Sequence, residues 1–135
     1  MRKMTLLLCA LLLSSCRTVG ISTEDGGYAE INPTVAAEMM LDSQQVVVLD
    51  VRPIEKYRGP GGHIAGSISV PFETIERQLP ELLPYQNQTV LVYGDSSTDG
   101  AVAAKLLSVA GFRNVVHIAG GLQGWIERGY RTVNS

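Results

Sequence analysis

The chain has 135 residues, 45% of them hydrophobic and 18% charged, with a formal net charge of −2. That length suits one domain with one core. No basic run of the kind that follows a phosphate backbone occurs, which argues against nucleic acid as a partner. The two cysteines, Cys9 and Cys16, both lie near the N-terminus.

Taken in chain order, the first residues read as a processing signal. Arg2 and Lys3 form a basic n-region, and Leu6 to Leu13 an apolar h-region too short to span a bilayer. The following Leu13-Ser14-Ser15-Cys16 resembles a bacterial lipobox, in which the cysteine is diacylated and becomes the new N-terminus after cleavage. The resemblance implies that residues 1–15 are a signal peptide and that Cys16 is the lipidation site. Membrane lipid held through the acylated Cys16 would anchor the protein without a spanning helix. An ordinary signal peptide, in which Cys16 has no special role, is the alternative. Arg17 stands where many lipoproteins retained in the inner membrane carry aspartate, which leans towards the outer membrane of a bacterial envelope, facing the periplasm.

Cleavage would remove Arg2 and Lys3 and no acid, moving the formal charge from −2 to −4. It would also remove Cys9, and lipid would occupy the Cys16 sulfur. The mature protein would then hold neither a free thiol nor a disulfide. Residues 16–27 read as the lipidated N-terminus and a short polar tether.

The rest alternates short β-branched runs with helix-like segments, the pattern of a parallel α/β sheet covered on both faces. Tyr28 to Ile31 predicts a first strand. Asn32-Pro33 supplies a cap and a first-turn proline for a helix through about Leu41. Val46 to Leu49 reads as a buried central strand, and Ser67 to Val70 as a short one stopped by Pro71. A helix is expected from about Glu73 to Leu79, ending at Pro80. Thr89 to Tyr93 predicts another buried strand, followed by a helix from about Gly100 to Ala110 that stops at Gly111. Val115 to Ile118 and a closing helix over Leu122 to Arg128, with Trp125 inward, complete the pattern. In such sheets ligands sit beyond the carboxyl ends of the strands, where Asp50 and Gly94 both fall.

Several segments together resemble the rhodanese-like superfamily, which also includes the cell-cycle dual-specificity phosphatases. They are Leu49-Asp50-Val51-Arg52, Glu55-Lys56-Tyr57, Gly62-His63-Ile64-Ala65-Gly66-Ser67, Ile68 to Pro71, Val90 to Tyr93, Ala103 to Leu107, Ala110-Gly111-Phe112, and Gly120-Gly121 with Trp125 and Gly129. The match covers residues 28–131. It implies a single rhodanese-like α/β domain, with a central five-stranded parallel sheet and helices on both faces. It also implies sulfur transfer or a phosphatase-like reaction through one loop cysteine.

That cysteine is missing. Aligning Val92-Tyr93 puts Gly94 at its position, followed by Asp95-Ser96-Ser97-Thr98-Asp99-Gly100. Such a loop works because converging backbone N–H groups and a helix N-terminus stabilise a thiolate, a persulfide or an oxyanion. Glycine removes the nucleophile. Asp95 and Asp99 place negative charge where basic residues would favour thiosulfate or phosphate, and Ala119 stands where the family commonly has an acid. These three departures point to a pseudoenzyme.

Ser96, Ser97 and Thr98 are conceivable replacement nucleophiles, but a serine needs an adjacent base. His63 and His117, the only histidines, are distant in sequence and read as structural. The hydroxyls and Asp99 suit helix capping better, with Asp99 as N-cap. Asp50 and Arg52 could contact a ligand or simply hold the loop's shape. Asp95-x-Ser97-x-Asp99-Gly100 matches the first half of an EF-hand loop, yet Leu106 stands where the bidentate acid belongs, so neither metal nor other cofactor is expected. The sequence therefore predicts a catalytically inactive, membrane-anchored binding module for a small ligand or an envelope protein, with Asp50, Arg52, Ser96, Ser97 and Thr98 as candidate ligand contacts. A sulfurtransferase or phosphatase acting without its own cysteine is the alternative.

Overall fold

The computed structural model describes residues 22–23, 27–42, 45–96 and 98–134. Cys9, Cys16 and Ser97 lie outside these residues. Asn32 opens the first helix as its sequence predicts. Its side-chain oxygen accepts the Val35 N–H at 3.0 Å, and Pro33 begins α1 (Pro33–Asp42). The apolar run Val46–Asp50 is β3, Ile68–Ser69 is β4, Thr89–Tyr93 is β5 and Asn114–Ile118 is β6. Ala29–Ile31 is β2, and Ser22–Thr23, within the segment read as a tether, is β1.

The sheet order is β1-β2-β6-β5-β3-β4. The five strands from β2 to β4 run parallel, as expected, and β1 adds an antiparallel edge on β2. Strand alternation divides the core into two layers. Val47, Leu49, Val90 and Val92 face α3 (Ile75–Leu82) and α4 (Thr98–Val109), against Ile75, Ala103 and Leu107. Val48, Leu91, Tyr93 and Ile118 face α1 and α5 (Gly121–Glu127), against Ala36, Leu122 and Trp125.

Two helix boundaries differ from expectation. Pro80 does not end its helix. A 3-10 turn over Phe72–Thr74 leads into α3, which runs through Pro80 to Leu82. Pro80 is exposed, so its ring disturbs only the solvent face, while buried Ile75 and Leu82 hold the other. The helix after β5 starts at Thr98 rather than near Gly100, so Thr98 and Asp99 form its first turn instead of a cap. An acid in a first turn complements the helix dipole, which offsets the weak propensity of these residues. The far end of α4 stops as predicted. Gly111 takes φ +99°, and Phe112 N–H reaches back to the Leu107 carbonyl at 3.1 Å.

One further short helix, α2 (Ile54–Tyr57), follows the turn after β3; at four residues it is too short for a helical period to show in the sequence.

Candidate functional site

Asp50 ends β3 and Tyr93 ends β5, and the two residues pair directly across the ladder. Both side chains are fully buried. A buried carboxylate is tolerated only when its lone pairs are satisfied, and here they are. Oδ1 accepts the Arg52 backbone N–H and Nε, both at 3.0 Å. Oδ2 accepts Arg52 Nη2 at 2.7 Å and the Tyr93 hydroxyl. With its proton committed to Asp50, the Tyr93 oxygen accepts from Ile64 N–H at 3.1 Å and from the Ser67 hydroxyl at 3.2 Å. Arg52 Nη2 also donates to the Gly62 carbonyl at 2.8 Å, and the guanidinium lies 5.8 Å from the centre of the Tyr93 ring.

Burial alone would lower the Arg52 pKa. The hydrogen bonds and charge of Asp50 outweigh it, Tyr93 and Asp95 add to them, and the guanidinium is held above its ordinary value. Burial, followed by the Asp50 charge, pushes the Tyr93 phenol well up. The Asp50–Arg52 pair thus pins the turn after β3 to the segment around Gly62–Ser67 and to the end of β5. Asp50 has no surface to offer a ligand. Arg52 is also buried, but its Nη1 points towards Asp95 at 3.9 Å.

His63 belongs to the same scaffold. Its ring stacks on Tyr57 at 3.7 Å and its Nδ1 lies 3.0 Å from the Tyr57 carbonyl.

The loop beyond Tyr93 is short and tied down. Leu122 N–H donates to the Gly94 carbonyl at 2.9 Å and Gln123 N–H to the Asp95 carbonyl at 3.1 Å. These donors come from the start of α5, which can approach because Gly121 has φ +58° and no side chain. A Cβ there would stand 2.4 Å from the carbonyl oxygens of Gly94 and Ser96. On the other side the loop meets α4. A Cβ on Gly94 would lie 3.0 Å from Gly100 N and 3.4 Å from Asp99 Cβ. Asp95 forms an ion pair with Lys56 of α2. Ser96, Thr98 and Asp99 are exposed.

His117 sits beneath this loop, on the face opposite Asp50. It is fully buried, and its Nδ1 is 2.9 Å from Glu30 Oε2. Its Nε2 has no hydrogen-bond partner, and a Cβ on Gly100 would stand only 2.7 Å from it. Among the described residues, neither histidine is hydrogen-bonded to the hydroxyl of Ser96 or Thr98.

A cleft of about 400 Å³ opens beside the loop at the carboxyl ends of β3 and β4. Val51, Ile54 and Phe72 supply its apolar part and Glu55, Glu73 and Asp99 its carboxylates. Among the described residues no group of three or more His, Cys, Asp or Glu side chains is arranged to hold a metal ion, and no helix is long and apolar enough to cross a membrane.

Residues 32–128 match the rhodanese-like domain family. The chain belongs to that family. This rhodanese-like domain is 30% identical over 110 residues to an uncharacterised Synechocystis protein, covering 78% of this chain and 59% of that one. It is 32% identical over 75 residues to the thiosulfate sulfurtransferase PspE of Escherichia coli, covering 56% of this chain and 69% of the enzyme. Among solved structures, a rhodanese-related protein from Thermoplasma volcanium superimposes with a TM-score of 0.69 at 29% identity, covering 78% of this chain and 98% of the other.

Two contacts of the rhodanese-like site are not legible in the sequence. Tyr93 reads as the last apolar residue of a strand, and only the β3–β5 register shows that its hydroxyl lands on Asp50. Lys56 lies 39 positions from its partner Asp95, a spacing that carries no signal.

Proposed function

We propose that this rhodanese-like domain is a non-catalytic binding module, held at the membrane of a bacterial envelope through a diacylated Cys16 and facing the periplasm. The observation that carries the reading is Gly94. The family's reaction forms a covalent persulfide on a side chain at the end of β5, and this chain has no side chain there. The Cβ direction from Gly94 runs into the first turn of α4, and no cysteine occurs after residue 16.

What remains around the loop supports binding. The buried Asp50–Arg52–Tyr93 network keeps the carboxyl edge of the sheet in shape, and the adjacent cleft combines an apolar part with three carboxylates. The occupant would be a small ligand or a side chain of an envelope partner.

Thiosulfate-to-cyanide sulfur transfer by the purified protein tests the reading. No rate above the uncatalysed background is expected. Turnover that co-purifies with the chain would overturn it and favour sulfur transfer without a protein thiol, the reading that the relationship to PspE suggests.

A further inference from the structure

We propose that the outer face of α4 rests on the bilayer, and that its partner is an anionic phospholipid surface. The proposal rests on the anchoring at Cys16 proposed above, and it adds which side of the domain is turned towards the lipid.

On α4, Val102 is 48% exposed and Val109 79%. They stand seven residues apart, so they lie along one line of the helix. Exposed Lys105 and half-buried Leu106 fall on the same side, at the three- and four-residue spacings. Buried Ala103, Ala104 and Leu107 form the opposite side, against the sheet. Exposed Arg113 follows just beyond the helix. Among the described residues neither Lys105 nor Arg113 is ion-paired, and the acid of α4 is Asp99, in its first turn. On the side of Leu106 the strip is bounded by a groove to α3, where Glu73 and Glu76 stand with Arg77. Branched apolar side chains flanked by cations suit an interface: the valines enter the headgroup region while the ammonium and guanidinium meet lipid phosphates.

The anchor brings lipid to this side. β1 begins at Ser22, six residues after Cys16. That span reaches at most about 20 Å, less than the ~30 Å width of a small domain. The domain therefore lies against the bilayer rather than standing away from it. β1 forms the edge of the sheet on β2, and just ahead of β2 the Gly27 carbonyl accepts from Ser108 Oγ of α4 at 2.8 Å. The outer face of α4 thus adjoins the edge by which the chain enters. Weak contacts suffice there, because the anchor holds the lipid at high effective concentration.

Acylation leaves the mature chain without a thiol, so an introduced cysteine alone takes a nitrobenzoxadiazole label. Protein extracted from membranes, its acylation established by intact mass, is labelled at Val102→Cys and reconstituted into vesicles. One set contains phosphatidylglycerol and phosphatidylcholine, the other phosphatidylcholine alone. On the anionic vesicles the emission is expected to shift to the blue and to be quenched by doxyl lipid. Adding Lys105→Glu and Arg113→Glu is expected to restore the aqueous spectrum. Leu41→Cys on α1, at a position 87% exposed on the opposite face, is expected to report water throughout. Val109→Cys is a second labelling site should the first disturb the helix. An aqueous spectrum at both α4 positions of the acylated protein would overturn the proposal, as would a shift that the charge-reversed variant keeps. An equal shift on phosphatidylcholine alone would refute the anionic partner, and a shift at position 41 instead would assign the contact to α1. An unacylated chain would end this proposal together with the anchoring reading. The mass shows that before any label is added, so the two failures are told apart.

Discussion

The Tyr93 hydroxyl donates to the Asp50 carboxylate at the carboxyl end of two paired strands, with both side chains fully buried. Through this one contact the strand that leads into the loop is bonded to the Asp50–Arg52 pair. Tyr93→Phe leaves Asp50 with one acceptor site unfilled and takes the acceptor from Ile64 N–H and the Ser67 hydroxyl. A loss of about 1–3 kcal/mol is expected, measured by urea unfolding. A change within a few tenths of a kcal/mol would mean that water replaces the phenol at no cost.

The same phenol predicts alkaline sensitivity. Its folded pKa is raised above the ordinary value of about 10. Between those two values the folded state keeps a proton that the unfolded state releases, so stability falls as pH rises. Its contribution is fully present below about pH 10 and is lost progressively above it. Unfolding midpoints measured from pH 8 to 11 should drop more steeply for the parent than for Tyr93→Phe. Parallel curves would remove Tyr93 as the cause.

Gly100 lies inside α4, where alanine would ordinarily stabilise a helix by about 1 kcal/mol. Here the added Cβ would stand 2.7 Å from His117 Nε2 and 2.9 Å from Gly94 N. The imidazole is fixed by Glu30 and by the surrounding core, so it cannot retreat cheaply. Gly100→Ala should therefore destabilise by about 1–3 kcal/mol, the usual cost of overpacking. Thermal denaturation beside an exposed control such as Ser96→Ala reads the difference, and a stabilised Gly100→Ala protein would contradict the packing described.

Membrane attachment is tested at Cys16. Radiolabelled fatty acid is expected to enter the wild-type chain and not Cys16→Ala, with the variant released from the membrane fraction. Two acyl chains suffice for stable anchoring. Equal labelling of both proteins would place any lipid elsewhere.

Sequence by itself determined the layered parallel sheet, the family and the empty nucleophile position. Those features are written locally: β-branched runs at Val46–Leu49 and Thr89–Tyr93 must be buried on both sides, and the glycine at position 94 supplies no side chain and so no thiol. The Asn32 cap and the Gly111 stop are local for the same reason. Tertiary structure alone decided which charges meet. Asp95 reads in sequence as an acid that repels anions, whereas in the fold it neutralises Lys56 and faces Arg52. Pro80 reads as a helix end, but packing of Ile75 and Leu82 carries the helix past it. His117 gains its partner Glu30 only because β2 lies beside β6. Strand order and register bring such residues together over tens of positions, and no periodicity within either segment encodes that encounter.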